Sequence, residues 1–328
     1  MASAAPTGLD GRSIRVGLDI GGTKTDAVAL NSGGEIVGRI RRASGYGDEA
    51  VVADVVDSVR ELALEVGFEI SDVASVGVGI PGVVDMARGL VLHAVNLGVA
   101  SLELAARASE RLGAAIFVEN DVKAAALGAA ALRAATPGDT LEHASIAYLN
   151  LGTGVAAGIV VDGELWRGSR GTAGEVGHIS VDPNGRLCGC GQRGCIETLC
   201  GGGALARAWG RPGALPVRDI YDAAERGDTE ALLLRADLAR GAAAAVRVLV
   251  LSADVDSVVI GGGLTALGDR LSDGIRSALI ADAAGSPFLR SLHLEERIEL
   301  LPAGSPAAAL GAALVGVPAA TKEIAVHG

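Results

Sequence analysis

A glycine-rich hairpin occurs twice in this chain, and the repeat limits the folds that the sequence can adopt. In the first copy, residues 15–30 read as a strand, a turn at Gly21-Gly22-Thr23 and a second strand. In the second copy, residues 148–161 read as a strand, a turn at Gly152-Thr153-Gly154 and another strand. Such an internal repeat predicts two related domains that each present a tight turn, although glycine hairpins also occur in unrelated proteins.

Strands and helices alternate along the rest of the sequence, which is typical of an α/β protein. From apolar spacing, we predict helix 48–66, strand 73–80, helix 101–112, strand 115–118, helix 237–251, strand 257–260 and helix 305–314. The length of 328 residues suits about two domains. Because 49% of the residues are hydrophobic but only 2% are aromatic, the cores must be built from Val, Leu, Ile and Ala.

Composition and charge argue against several classes of protein. Arg, Asp or Gly interrupts every apolar run before it reaches the ~18 residues of a membrane span. Residues 1–13 lack the apolar core of a signal peptide, and we expect them to form a short disordered tail. The net charge of −11 argues against a nucleic-acid binder, which normally has a basic face. These features predict a cytoplasmic protein without a membrane or nucleic-acid partner.

The four cysteines, Cys188, Cys190, Cys195 and Cys200, lie in one short segment. A secreted disulfide scaffold would spread its cysteines along the chain, so this cluster indicates a metal site in a reducing compartment. Three thiolates and one imidazole satisfy tetrahedral Zn²⁺. Spacing alone leaves the fourth ligand open between His178 and Cys200. The ion would be structural, with no open position for chemistry.

Two further segments carry groups suited to phosphate chemistry. In the first turn, Gly21 and Gly22 allow backbone amides to approach phosphate oxygens, and Asp19 could hold a metal ion through water. An ordinary hairpin with a polar edge is the alternative. Asn120 and Asp121 follow a predicted strand at its carboxyl end, where α/β folds place active sites. Phosphoryl transfer to an alcohol needs such a carboxylate, although an Asn-Asp pair is also a common helix cap.

The segment Leu18-Asp19-Ile20-Gly21-Gly22-Thr23-Lys24-Thr25 resembles the first phosphate loop of the ROK sugar kinases. Gly152-Thr153-Gly154 resembles their second phosphate loop, and Gly261-Gly262-Gly263 resembles their adenosine motif. The resemblance covers nearly the whole chain from about Ile14. It implies a two-domain α/β fold of the actin/hexokinase-like (ribonuclease H-like) kind, with an active-site cleft between the domains.

On this resemblance, residues 14–120 with 305–328 form a small domain, and residues 121–304 form a large one. ATP is the expected donor, with Mg²⁺ between its β- and γ-phosphates, and inorganic polyphosphate is the alternative. The expected nucleotide-binding residues are Asp19, Gly21, Gly22, Thr23, Lys24, Gly152, Thr153, Gly154, Gly261, Gly262 and Gly263.

The resemblance also implies the sugar site. Asp121 would be the catalytic base for the primary hydroxyl of the sugar, and Lys123 stands where many family members have Asn or another small polar residue. The expected sugar contacts are Gly82, Asn96, Asn120, Asp121, Glu175, His178 and Glu197. The family pattern of a His before the C-x-C-G-x₂-G-C cluster selects His178, Cys188, Cys190 and Cys195 as zinc ligands. Cys200 is then a small buried residue.

The implied reaction is ATP-dependent phosphorylation of a hexose at its 6-hydroxyl, most simply by a glucokinase that feeds glycolysis. N-Acetylmannosamine, N-acetylglucosamine and fructose are alternative substrates, because Val99 replaces the aromatic residue that often follows Asn96-Leu97-Gly98. A sugar-responsive repressor of the same family would need a winged-helix module before Asp19, where only a short stretch stands. A sugar-binding protein without activity would have lost the carboxylate of Asp121. A homodimer or homotetramer is expected by analogy.

Overall fold

Both glycine-rich hairpins form, and each belongs to its own five-stranded sheet. The computed structural model describes residues 14–135 and 145–316, so the predicted tail over residues 1–13 lies outside the described residues. The chain divides into two compact units. Of the described residues, the first unit contains 14–135 and 306–316, and the second contains 145–305.

The strands and helices are numbered here in chain order. The strands are β1 (Ile14–Ile20), β2 (Lys24–Leu30), β3 (Ile36–Ala43), β4 (Val73–Ile80), β5 (Val83–Asp85), β6 (Leu90–Ala94), β7 (Val99–Leu102), β8 (Ile116–Asn120), β9 (Ile146–Leu151), β10 (Val155–Val161), β11 (Glu164–Leu165), β12 (Ser257–Gly261) and β13 (Ile298–Leu300). The α-helices are α1 (Asp48–Val66), α2 (Leu104–Leu112), α3 (Asp121–Ala134), α4 (Ile196–Cys200), α5 (Gly202–Trp209), α6 (Pro216–Glu225), α7 (Thr229–Ala253), α8 (Asp269–Ala283), α9 (Pro287–Ser291) and α10 (Ala307–Ala313). No helix among the described residues is long and apolar enough to span a bilayer.

The first unit is built on a sheet of order β3-β2-β1-β4-β8. The strands β1, β4 and β8 run parallel, and β2 pairs antiparallel with both β1 and β3. The central strands β1 and β4 are buried over most of their length, since both faces of the sheet are covered. Helix α1 buries Val51, Val55 and Val59 in the same core as Val16 and Leu18 of β1. This core is aliphatic, as composition requires.

The other face of this sheet is covered by α10, and glycines make the close contact possible. A Cβ atom on Gly17 of β1 would collide with the carbonyl oxygen of Ala309, and one on Gly77 of β4 with that of Ala312. Helix α3 packs on α10 in the same way, since a Cβ on Gly128 would collide with the backbone of Ala307. Helix α3 therefore belongs to the first unit, whereas the sequence-based boundary after residue 120 assigned it to the second.

The second unit repeats this plan with the sheet β11-β10-β9-β12-β13. Its hairpin β9-β10 is antiparallel, and β12 runs parallel to both β9 and β13. The order β2-β1-β4 thus has its counterpart in β10-β9-β12, as the repeated hairpin predicts. Helix α7 lies in the core of this unit, where Ala242 to Val246 are nearly inaccessible to solvent and pack with Leu149 and Ile260 of the sheet.

Candidate functional site

The carboxyl ends of β1, β4 and β8 bring the two predicted acidic residues of the first unit to one edge. Asp19 is in register with Gly79, and Gly79 is in register with Glu119. Asp121 directly follows the last residue of β8 and is the first residue of α3. A Cβ atom on Gly79 would lie 3.6 Å from the Cα atom of Asp121, so the glycine lets the first turn of α3 approach the sheet. Asp19, near the end of β1, and Asp121, at the start of α3 after β8, therefore lie at the same edge of the sheet, with β4 between their two strands.

Asn120 caps helix α3 and also holds the carboxylate of Asp121. Its Oδ1 atom accepts hydrogen bonds from the backbone N–H groups of Val122 (3.1 Å) and Lys123 (3.3 Å). Its Nδ2 atom donates to Oδ1 of Asp121 at 3.0 Å and to the carbonyl oxygen of Gly82 at 3.4 Å. The side chain that caps the helix is thus also hydrogen-bonded to the predicted catalytic residue. Asn120 fixes the orientation of Asp121 with the side chain that begins the helix.

Asp19 lies in an environment that disfavours its charge. Burial, and then the negative charges of Asp121 and Asp26, raise the pKa of Asp19 to about 7. The carboxylates of Asp19 and Asp121 are thus close enough to repel each other. Two such oxygen donors suit a hard divalent cation such as Mg²⁺, which would relieve this repulsion.

We expect Asp19→Asn to stabilise the free protein at high pH. Folding raises the pKa of Asp19, so ionisation of this carboxyl opposes folding. The contribution of Asp19 to the free energy of unfolding is therefore fully present below about pH 4 and is lost as the pH rises through about 7. Without nucleotide and divalent ions, the variant should therefore have an unchanged Tm near pH 4 and a Tm higher by about 4 °C at pH 8.5. Calorimetry across this range measures the difference.

Asp26→Asn is the matched control for this experiment. Burial alone would raise the pKa of Asp26, but hydrogen bonds from Arg39 and Arg41 outweigh this effect and lower the pKa. Its ionised form therefore favours folding, and its replacement should lower the Tm at pH 8.5. An Asp19→Asn variant that is no more stable than the wild type at pH 8.5 would contradict the electrostatic description of this edge.

The first glycine turn lies beside Asp19 and touches a predicted sugar-contact residue. The backbone N–H of Gly21 donates to the carbonyl oxygen of Lys24 at 2.9 Å, which closes the turn. Gly22, Thr23 and Lys24 are exposed. A Cβ atom on Gly22 would lie 3.1 Å from Cβ of Asn96, so the turn and the loop that carries Asn96 are in contact. The first unit thus brings together the predicted residues Asp19, Gly21, Gly22, Thr23, Lys24, Gly82, Asn96, Asn120 and Asp121.

The second glycine turn is braced by residues that sequence reasoning missed. The N–H of Gly202 donates to the carbonyl oxygen of Gly152 at 2.8 Å, and the N–H of Gly203 donates to that of Thr153 at 2.9 Å. A Cβ atom on Gly202 would lie only 2.8 Å from the Gly152 oxygen. The triple glycine at 201–203 is the sequence signal that could have identified this brace.

The predicted adenosine motif is in contact with the strand that leads into the second turn. Gly262 has a φ of 89°, and a Cβ atom there would lie 2.5 Å from the carbonyl oxygen of Leu151 and 2.6 Å from Oδ1 of Asn150. Only glycine fits so close an approach in this conformation. Gly261 lies against the ring of Tyr148, and Gly263 faces open space. The second unit therefore places Gly261 and Gly262 against Asn150 and Leu151, the residues that lead into the second glycine turn.

The predicted metal ligands form one cluster. The donor atoms of His178, Cys188, Cys190 and Cys195 all lie within 4.8 Å of one another. The Sγ atom of Cys188 is 3.7 Å from Nδ1 of His178, and the Sγ atoms of Cys190 and Cys195 are 3.6 Å apart. Ligands at roughly 2.3 Å from a tetrahedral zinc ion would be separated by similar distances. The donor set is compatible with Zn²⁺.

Cys200 lies outside this cluster. Its Sγ atom donates to the carbonyl oxygen of Ile196 at 3.4 Å, and its burial raises the pKa of the thiol. His178 is thus the residue whose donor atom lies with the three clustered thiols, whereas Cys200 is buried outside them.

Glu197 connects the metal cluster to the second glycine turn. Its Oε2 atom accepts a hydrogen bond from the N–H of Val155 at 3.0 Å, and its Oε1 atom lies 4.0 Å from Sγ of Cys188. A Cβ atom on Gly154 would lie 2.7 Å from Oε2 of Glu197. Glu175 is exposed and begins the short 3₁₀ turn Val176–His178 that carries the imidazole. A metal ion in the cluster would therefore fix the segment that holds Glu175 and His178 and would anchor Glu197.

Comparison with known proteins identifies the class. The structure aligns with the ROK hexokinase from Thermus thermophilus (TM-score 0.74, 31% identity, 92% of this chain and 97% of that chain). It also aligns with a ROK family glucokinase from Streptomyces griseus in complex with glucose and AMPPNP (TM-score 0.70, 31% identity, 92% and 98%). The fold is thus the α/β fold of the actin/hexokinase-like proteins, as the resemblance implied.

The sequence gives the same assignment at the level of the family. Residues 15–316 match the model of the ROK family, and the chain belongs to this family. A curated glucokinase from Halalkalibacterium halodurans is 32% identical over 275 residues, which cover 78% of this chain and 82% of the relative.

Proposed function

We propose that this protein is an ATP-dependent hexose kinase that phosphorylates the 6-hydroxyl of glucose. The observation that carries the proposal is the carboxylate of Asp121, which Asn120 holds by a 3.0 Å hydrogen bond at the sheet edge that also bears Asp19. A glycine turn with exposed backbone lies next to this edge. Similarity to proteins named hexokinase and glucokinase supports the same reaction.

Asp121 accepts the proton of the sugar hydroxyl as that oxygen attacks the γ-phosphorus of ATP. The Asn120 amide keeps one carboxylate oxygen engaged, so that the other oxygen is oriented toward the substrate. Gly82 and Asn96 offer backbone and amide groups to neighbouring sugar hydroxyls. The carbonyl oxygen of Gly82 accepts a hydrogen bond from Asn120, and Asn96 packs on Gly22. The positions of both residues therefore depend on the sheet edge that bears Asp19 and Asp121.

The phosphates of ATP are bound by the two glycine turns. Backbone N–H groups at 21–23 and 152–154, with the ammonium group of Lys24, are the proposed phosphate ligands. Residues 261–263 receive the adenosine. Mg²⁺ bound with the nucleotide neutralises charge on the phosphates, and the carboxyl of Asp19 is the group of the first unit suited to hold it through water.

We further propose that the metal cluster holds a structural Zn²⁺ that supports sugar recognition. Its ligands would be His178, Cys188, Cys190 and Cys195, so no position remains open for chemistry. The cluster fixes the segment from which Glu175, His178 and Glu197 contact sugar hydroxyls. A carboxylate that accepts hydrogen bonds from a hydroxyl pair discriminates strongly against sugars that lack one of them.

A panel of sugars tests this proposal. ADP release is measured with ATP and Mg²⁺ for glucose, fructose, N-acetylglucosamine and N-acetylmannosamine, and polyphosphate is tested as a second donor. The highest kcat/KM is expected for glucose with ATP. N-Acetylmannosamine is the second candidate, because a relative named N-acetylmannosamine kinase also matches the chain. ADP release that no sugar stimulates would contradict the kinase assignment. Cytoplasmic location and assembly as a homodimer or homotetramer remain predictions.

A further inference from the structure

Tyr46 is an exposed aromatic residue in a chain that has few of them. The sequence has three tyrosines, and the other two, Tyr148 and Tyr221, are buried in the second unit. Tyr46 is 75% exposed. A ring this exposed contributes little to the hydrophobic core of its own unit, so its neighbours on the surface indicate its role.

The ring of Tyr46 lies on Gly98, in the loop that carries Asn96. A Cβ atom on Gly98 would lie 2.6 Å from the Cε1 and Cζ atoms of Tyr46. Gly98 has a φ of 68°, the left-handed conformation in which glycine is favoured. The glycine thus lets the ring cover the end of the 3₁₀ turn Val95–Leu97. The ring and Asn96 therefore belong to one surface.

This loop lies between two parts of the proposed active site. On one side, Asn96 packs against Gly22 of the first glycine turn. On the other side, a Cβ atom on Gly82 would lie 3.1 Å from the backbone nitrogen of Ala94, and the Gly82 carbonyl accepts from Nδ2 of Asn120. Residues 94–98 therefore connect the residue that orients Asp121 with the phosphate turn, and Tyr46 covers the end of this connection.

The backbone around Tyr46 is held on both sides. The N–H of Ser44 donates to the carbonyl oxygen of Thr23 at 3.2 Å, and the N–H of Gly47 donates to that of Leu97 at 2.7 Å. Gly45 is in close contact with the backbone of Ala50, where a Cβ atom would lie 2.6 Å from the carbonyl oxygen. An exposed ring on so constrained a segment is pre-organised, which lowers the entropic cost of binding.

We propose that Tyr46 is a hexose-contact residue whose ring packs on the apolar C–H face of the sugar. The inference rests on the proposed function. An aromatic face offers a large apolar area with a polar tip. The hydroxyl of Tyr46 has no hydrogen-bond partner among residues 14–135 and 145–316, so it is available to a sugar hydroxyl. Tyr46 thereby sets the affinity for the sugar and takes no part in proton transfer.

Steady-state kinetics of Tyr46→Ala and Tyr46→Phe test this role. Tyr46→Ala should raise the KM for hexose about tenfold, a change of about 1.4 kcal/mol, because the contact between the ring and the sugar is lost. The KM for ATP and kcat should stay within about twofold of the wild type. Tyr46→Phe should retain most of the affinity. Phe288→Ala, at another exposed aromatic residue (61%), is the control and should change nothing.

The outcomes separate this inference from the proposed function. A wild-type protein that phosphorylates no hexose overturns both. An active wild type with an unchanged hexose KM in Tyr46→Ala overturns only the role of Tyr46. A variant whose KM rises for ATP but not for hexose would assign the ring to the nucleotide and also contradicts the inference. Calorimetric titration with glucose alone should show the same tenfold loss of affinity in Tyr46→Ala.

Discussion

Asp121→Asn is expected to lower kcat for ATP-dependent hexose phosphorylation by about a thousandfold, with the protein still folded and able to bind sugar. A positioned general base contributes about 10²–10⁴-fold to a rate, and the amide cannot accept the hydroxyl proton. The substitution is nearly isosteric and leaves the cap by Asn120 in place. The measurements are kcat with a saturating sugar and the Kd for sugar by calorimetry.

The control for this variant is Asp57→Asn, which removes a carboxylate on α1 of the same unit that faces Arg42. It should have wild-type kcat. A separate variant, Asn120→Ala, should lower both kcat and the Tm, because it removes the helix cap and the hydrogen bond to Asp121. Substantial kcat in Asp121→Asn would contradict the assignment of the base.

Loss of the bound metal is expected to have the second large effect. The wild type should contain about one zinc per chain, and Cys190→Ser should lose most of it, because a hydroxyl is a poor replacement for a thiolate. Since the binding free energy of a structural zinc contributes to folding, the Tm should fall by about 10 °C or more. Elemental analysis and calorimetry measure the two changes.

Cys190 is the most suitable ligand to replace because it is exposed, so its loss creates no buried cavity. Cys200→Ala is the matched control, since Cys200 is a buried thiol outside the cluster and its loss should leave the zinc content unchanged. The hexose KM should rise in Cys190→Ser, because Glu197 and His178 lose their anchor. A wild type that is free of metal and has a high, chelator-insensitive Tm would remove the zinc proposal.

Local features of the chain could be predicted from sequence because short-range chemistry determines them. The two hairpins follow from β-forming residues around glycine-rich turns, and α1, β4 and β12 follow from apolar spacing. The spacing of the cysteines indicated a metal site but left the fourth ligand open between His178 and Cys200, and only the family resemblance favoured His178. Asn120 and Asp121 were recognisable as a strand end, and Asn120 does cap α3, while the role of the pair in catalysis stays a prediction.

Contacts between distant segments could not be predicted in this way. The small sheet of β5, β6 and β7 was missed because its strands are short and contain too few residues to show alternation. The contact of Gly202 with Gly152 and the contact of the Tyr46 ring with Gly98 depend on tertiary packing, which cannot be predicted from the spacing of residues along the chain. The same holds for α3, whose unit is decided by its glycine contact with α10.

The most direct test of phosphoryl transfer with Asp121 as base is ³¹P NMR of the full-length protein with Mg²⁺, ATP and glucose. A phosphomonoester on the 6-oxygen of glucose is expected to appear at the same rate as ADP, and Asp121→Asn should form almost none. Release of ADP with inorganic phosphate alone, or product formed by Asp121→Asn at the wild-type rate, would contradict this mechanism.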